Sequence, residues 1–276
     1  MKVKAILLFF CAIFALASCN TKEVKEDESP IYTQKLKGDK AIYGLACDGC
    51  TDSVTVLLPE NGGDPITYNT LEAKKHGHVL GKLQIGDRIC VLLNKRDSTV
   101  ADIVVDIDKL QGIWCYIVMP KMRDFQHMSK KLQAKLMNNM SDSLKETFLI
   151  PREYGFYLKR DWIAQSVGYI DDRNSLADES PVVYPALGYF TAWHLWNGKF
   201  IMTSGTPKVL KNGEMKVTNL KYDTCSIDYL DEDSLVLTDA DGSRSYYRKD
   251  DINDVNKRAK AIEAMRKKQA IEQTKE

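Results

Sequence analysis

The chain has 276 residues, with 39 basic and 38 acidic side chains giving a formal charge of +1, and 44% of its residues are hydrophobic. Such a balance belongs to a globular chain, and the interspersed charges lack the basic stripe that would hold nucleic-acid phosphates. No segment beyond the N-terminal apolar block approaches the length of a membrane-spanning helix.

The N-terminus comes first in chain order. Met1-Lys2-Val3-Lys4 is followed by the apolar block Ala5–Leu16 and by Leu16-Ala17-Ser18-Cys19. The block is too short for a permanent span, has basic residues upstream and ends in small residues, the layout of a removable export signal. The run that ends at Cys19 resembles a bacterial lipobox. Residues 1–19 are therefore expected to act as a lipoprotein signal. Cys19 is expected to begin the mature chain, carrying a diacylglycerol on its thiol and a further acyl chain, such as palmitate, on its amine. Two or more chains anchor stably where one does not. Residues 20–37, opening with the polar stretch NTKEVKEDESP, read as a disordered tether. The expected address is the cell envelope, lipid-anchored at the outer membrane on its periplasmic or surface face.

The exported body carries Cys47, Cys50, Cys90, Cys115 and Cys225. An oxidising compartment favours pairing, and with an odd number at least one thiol stays free. Cys90 and Cys115 lie in apolar runs, where a buried inert thiol is the usual outcome. Cys47 and Cys50 flank the Asp48-Gly49 turn at a spacing that brings their Cβ atoms close, and a disulfide is expected there.

Residues 38–108 read as a small β domain containing this CxxC. Ala41–Ala46, Ser53–Pro59, Arg88–Asn94 and Thr99–Ile107 are short runs rich in Val, Ile, Leu and Tyr between Gly, Asp, Asn and Pro. They predict a small barrel or sandwich. Thr67–Lys75 fits either a strand or a short helical turn. The composition shifts at Ile107–Leu110, where the domain boundary is placed.

Residues 109–249 read as a second, antiparallel barrel. Leu132, Leu136 and Met140 recur at helical spacing and predict a helix between about Ser129 and Thr147. Strands are predicted over Tyr154–Arg160, Ile163–Tyr169, Tyr189–Leu195, Lys199–Thr203, Thr224–Leu230, Ser234–Thr238 and Ser243–Arg248. Closure into a barrel is the usual way such a meander removes its edges. Asn197-Gly198 is a strong hairpin signal. This part is expected to fold without the first domain. Residues 250–276 predict an amphipathic helix, with Ile252, Val255, Ala259, Ile262 and Met265 on one stripe that packs on the barrel.

Gly112-Ile113-Trp114, Gly155-Phe156-Tyr157-Leu158-Lys159, Ala164-Gln165-Ser166-Val167, Trp193–Lys199, Asp223–Ile227 and Asp233–Leu237 occur in this order. Together they resemble the lipocalin-like domain of Bacteroidetes lipoproteins from Leu110 to Lys249. The departures are Trp162, where a turn glycine is expected, and the polar insertion Asp171–Glu179. Tyr43–Ser53, followed by Val54-Thr55-Val56-Leu57-Leu58, resembles the opening of NlpE-like outer-membrane lipoproteins, in which a CxxC turn precedes a barrel strand. That likeness implies a metal- or redox-responsive envelope role. Leu235–Asp239 and Ser245–Arg248 resemble that family's closing hairpin but lie in the other domain.

A redox-active CxxC needs a helix N-terminus to lower its thiol pKa, whereas this one precedes a strand. His76 and His78 offer imidazoles that would join Cys47 and Cys50 around copper or zinc, although Lys74 and Lys75 beside them oppose a cation. The carboxylates cluster in turns, and no phosphate loop, nucleophile elbow or zinc-protease helix is present. The chain thus reads as a mainly β, non-enzymatic envelope lipoprotein with no cofactor. It is expected to bind a small apolar ligand, through Trp114, Tyr157, Trp193 and Trp196, or an envelope protein partner. The other reading is the CxxC sensor.

Overall fold

The computed structural model describes residues 35–123, 127–143, 145, 149–168, 182–252, 261 and 264–265. The signal, Cys19 and most of the tether lie outside these residues, as do Tyr169, the Asp171–Glu179 insertion and most of the C-terminal helix.

Strands β1 (Ile42–Ala46), β2 (Val54–Pro59), β3 (Ile66–Asn69), β4 (Val79–Leu80), β5 (Arg88–Leu93) and β6 (Ala101–Asp106) form one six-stranded sheet. Its order is β3-β2-β1-β5-β6-β4. Period-two patterning sets its inner face: in β2, Thr55, Leu57 and Pro59 are buried while the residues between them are half exposed. The ambiguous stretch Thr67–Lys75 resolves into the end of β3 followed by a short helix, α1 (Leu71–Lys75). A parallel bridge between Asn69 and Val100 ties the β3 edge to the start of β6. The sheet thereby curls toward a partly open barrel, one of the two forms, barrel or sandwich, expected for this part.

A one-turn helix, α2 (Ile107–Leu110), joins this sheet to the next, with the Asp106 carboxylate capping it by accepting from Lys109 N (2.9 Å). Then come β7 (Gly112–Val118), β8 (Lys121–Met122), helix α3 (Lys130–Asn139), β9 (Arg152–Leu158), β10 (Ala164–Val167), β11 (Val182–Val183) and β12 (Tyr189–Trp196). The chain continues through β13 (Lys199–Val209), β14 (Met215–Leu230), β15 (Ser234–Asp239) and β16 (Gly242–Lys249). Ser129 caps α3, none of whose residues is buried. Strands β8 and β11 pair only with each other. The other eight form a sheet in the order β10-β9-β7-β16-β15-β14-β13-β12, all antiparallel. Read around a circle, each of these strands neighbours the next one in the chain, the up-and-down order of an eight-stranded barrel.

Closure is nearly complete. Ile163 bridges Ala192, and Trp193 N donates to Trp162 O (2.9 Å). Further along, the Ser166 hydroxyl accepts from Phe190 N and donates to Gly188 O, both at 2.7 Å. A side chain thus stands in where the ladder lapses. Trp162 occupies the expected turn-glycine position with φ +62°, next to Asp161 at +58°. The indole holds it there, stacked on His194 (5.2 Å) and edge-on to Trp193 (4.8 Å).

One buried cluster runs through both sheets. Tyr43, Cys90 and Val105 from the first, with Leu110 of α2, pack with Trp114, Leu158, Trp193 and Leu235 from the second. Asp39 seals the seam by accepting from Ala41 N (3.0 Å), the Tyr43 hydroxyl (2.6 Å) and Asn197 N (2.9 Å). Gly81 N also donates to Leu230 O (3.1 Å). The N-terminal sheet therefore plugs the barrel end that carries the Trp196-Asn197-Gly198 turn. The opposite end carries the β15–β16 turn and the tip of the β13–β14 hairpin, and among the described residues the N-terminal sheet does not cover it.

Candidate functional site

The end opposite the N-terminal sheet leads into a cavity of about 500 Å³ between the barrel walls, a volume in the range of small-molecule sites. Its wall rings are Phe156 from β9, Phe190 from β12, Phe200 from β13 and Tyr246 from β16, joined by Met202 and Leu237. Strand alternation turns these side chains inward. Phe156 pairs in register with Trp114 on β7, so both face the interior, while their neighbours Tyr157 and Ile113 face outward. The rings cluster around Phe156, with Tyr246 at 5.1 Å, Phe200 at 5.9 Å and Phe190 at 6.1 Å between centroids. Ring contacts of this kind hold one another in place and present a rigid apolar surface.

Polar groups share the lining, with Asp223 in register with Met202 and Cys225 with Phe200. Arg244 lies over the Tyr116 ring (4.6 Å), and Asp223, Asp239 and Asp241 line the same cavity. Burial pushes the Tyr246 phenol up to about 12 despite the Arg244 cation. The Cys225 thiol is pushed up to about 11, first by burial and then by the Asp239 and Asp223 carboxylates. It is a thiol rather than a nucleophilic thiolate at neutral pH. The cavity can thus enclose an apolar body and orient it by a few polar groups in its lining. Two further depressions, about 590 Å³ along Tyr116–Met119 and sharing Tyr116 and Arg244 with the cavity, and about 760 Å³ beside Tyr43 and Glu60–Ile66, are more open to solvent.

The residues expected to bind ligand lie elsewhere. Trp114 and Trp193 are fully buried in the packed layer beneath the cavity, their indole N–H groups donating to Leu110 O (2.8 Å) and Lys159 O (3.0 Å). Trp196 is at the plugged end, donating to Lys37 O (3.3 Å). Tyr157 is on the outer face with Ile113, Cys115 and Val167. The wall of the cavity is built from Phe rather than Trp, because the indoles are the largest rings and fill the narrow end.

The other expected pairings also differ. Cys47 and Cys50 are separate thiols in place of the expected disulfide. Cys50 Sγ accepts from Val56 N (3.3 Å), and the Cys47 thiol points to Leu45 O (3.8 Å). His76 and His78 lie with ring centroids 6.1 Å apart after α1. Among the described residues no three or more His, Cys, Asp or Glu side chains gather as a metal site, so Cys47, Cys50, His76 and His78 are not brought together as ligands.

On the outer face of the barrel, Glu153 is fully buried, pairs with Lys249 Nζ (2.7 Å) and accepts from the Tyr247 hydroxyl. Cys115 lies near them, its thiol pushed up to about 12 by burial and by the Glu153 charge. A buried pair so arranged fixes β9 against β16 and gives no sequence signal, since a Glu and a Lys nearly a hundred positions apart read as ordinary surface charges.

No protein-family model matches the chain, and no curated protein matches it. Among solved structures, one lipocalin-like protein is similar. It comes from Bacteroides thetaiotaomicron VPI-5482 and is 16% identical, covering 50% of this chain and 95% of its own, with a TM-score of 0.26.

Proposed function

We propose that this chain is a non-catalytic binding module that takes a small apolar ligand into the mouth of its eight-stranded barrel and is held at the cell envelope by an acylated Cys19. The observation that carries the reading is the cavity of about 500 Å³ lined by Phe156, Phe190, Phe200, Met202 and Leu237 together with a few charged groups, among them Asp223 beside Met202 and Arg244 with Asp239 near the β15–β16 turn. Barrels of this up-and-down type hold single small ligands at such a mouth. The lipobox-like Leu16–Cys19 and the polar stretch behind it support the anchored address. A second contact, with an envelope protein, belongs to the same reading.

The test is ligand uptake by the purified chain. Fluorescent fatty-acid and sterol probes are expected to bind saturably, and native mass spectrometry is expected to show a co-purified lipid-sized mass. Met202→Trp, which puts an indole into the cavity, is expected to weaken probe binding without unfolding the barrel. Absence of saturable binding together with an empty mass spectrum retires the reading in favour of a filled structural barrel.

A further inference from the structure

We infer that the distal part of the β13–β14 hairpin is a docking arm for an anionic lipid surface. Near its start, β13 is flanked on both sides, pairing with β12 from Lys199 to Gly205 and with β14 from Phe200 onward. Beyond Gly205, among the described residues, β14 is the strand still paired with β13, Thr206 with Thr218, Pro207 with Val217, Lys208 with Lys216 and Val209 with Met215, while the Tyr189 hydroxyl of β12 donates to Met215 Sδ (3.7 Å). A two-stranded ribbon leaving a barrel gains little stability for itself. Its register sorts it into two faces, Pro207, Val209, Met215 and Val217 on one and Thr206, Lys208, Lys216 and Thr218 on the other; Pro207 is buried and Val217 half-buried, so the apolar face is exposed toward the tip. Val209 is 72% exposed and Met215 60%, and Leu210 at the tip is 41% exposed. The tip is nonetheless well formed, since Leu210 N donates to Glu214 O (2.8 Å) and Asn212 Nδ2 to the Glu214 carboxylate (2.7 Å).

Charge and composition together choose the occupant. Between Thr206 and Lys221 the arm carries Lys208, Lys211, Lys216 and Lys221 against the single carboxylate of Glu214, in a chain whose formal charge is only +1. The stretch itself holds no arginine or aromatic residue, Tyr189 from β12 being the ring that meets it at Met215, and lysine is depleted at protein interfaces. Exposed aliphatic side chains and Met flanked by lysines suit the boundary of an anionic bilayer. There the apolar groups enter the headgroup region and the ammonium groups stay among lipid phosphates. The arm springs from the rim of the barrel far from the plugged end where Lys37 enters, so its contact is separate from any N-terminal anchor.

The experiment uses the full chain with Val209→Trp, comparing its emission with that of the unsubstituted chain on two kinds of vesicle. One is phosphatidylcholine alone, and the other is an equal mixture of phosphatidylcholine and phosphatidylglycerol. A blue shift of the added indole is expected on the anionic vesicles only, reversed by high salt. Adding Lys208→Gln and Lys211→Gln is expected to raise the lipid concentration for half-maximal shift by about thirtyfold, at roughly fivefold per lysine. A position-209 indole that stays in water on anionic vesicles overturns the proposal, even if a lipid-free envelope extract buries it. An equal shift on neutral vesicles, or one unaffected by the lysine replacements, overturns it as well.

Discussion

The Arg248 guanidinium lies over the indole of Trp114, 4.2 Å from the ring centroid. From there it donates to Gln111 O (2.6 Å), Lys109 O and Glu232 O. One side chain near the end of β16 thus holds the entry of β7, the end of α2 and the β14–β15 turn together at the plugged end of the barrel. A planar fork stacked on an aromatic face suits Arg and not Lys.

Gly112 makes room for that fork. Its φ is +125°, and a Cβ built there falls 2.2 Å from an Arg248 guanidinium nitrogen. Gly112→Ala therefore combines backbone strain with displacement of the arginine and is expected to destabilise the fold by about 2 kcal/mol. Arg248→Lys keeps the charge but loses the fork, with a cost of about 2 kcal/mol. Both are measured by urea unfolding. Since both act on the same contact, the double variant is expected to cost less than the sum.

The cluster shared by the two sheets leads us to expect one unfolding transition. Cys90 is fully buried in the N-terminal sheet, whereas the four Trp residues lie in the barrel. Alkylation of Cys90 and loss of Trp emission should therefore report the same midpoint in urea. Asp39→Ala removes the acceptor of Asn197 N and leaves the Tyr43 hydroxyl its longer bond to Leu195 O (3.3 Å), and is expected to lower both midpoints together, by about 1–2 kcal/mol. A fragment of residues 109–276 would expose Trp193, Leu195 and Leu235, and is expected to lack a cooperative transition. Separate midpoints for the two probes would restore independent domains.

Trp162 sets strain against packing. Glycine at this position relieves a left-handed backbone, worth about 1 kcal/mol, but removes a buried indole, which costs about 3–5 kcal/mol. Trp162→Gly is therefore expected to be a net loss of about 2–4 kcal/mol by thermal unfolding. A stability equal to or above that of the parent would show that the contacts with Trp193, His194 and Tyr43 contribute little.

The strands were legible where apolar residues alternate and turns are marked. Ser234–Asp239 and Gly242–Lys249 follow the predicted runs closely, with Leu235 and Leu237 inward. The arm was not, because Thr206–Val209 and Met215–Lys221 are polar and lysine-rich. They are strands through hydrogen bonding to each other rather than through burial. The position of the aromatics is less legible: Trp114 and Trp193, expected at the ligand site, are buried beneath the cavity. The register pairing Trp114 with Phe156, which places Phe156 on the cavity wall and Tyr157 outside, is a tertiary fact that no local pattern contains. Cys47 and Cys50 are linked by their spacing, but no spacing ties them to His76 and His78, and among the described residues the four do not gather as a metal site.

Asp106 gives the fold a pH dependence of definite sign. One oxygen caps α2, while Oδ2 is buried without a hydrogen-bond partner. Burial pushes its carboxyl from the ordinary 3.8 up to about 7, with the nearby Asp87 and Asp108 carboxylates adding to the rise. A folded-state value above the unfolded one means that the fold favours the protonated acid. That contribution is full below the ordinary value of 3.8 and is lost as the pH rises through about 7. Asp106→Asn keeps the capping oxygen and cannot ionise. Its stability relative to the parent is therefore expected to be near parity at pH 4 and to grow more favourable up to pH 8, when urea midpoints are compared at each pH. A difference that stays flat across this range, or that runs the other way, would show that Asp106 is ionised in the fold throughout.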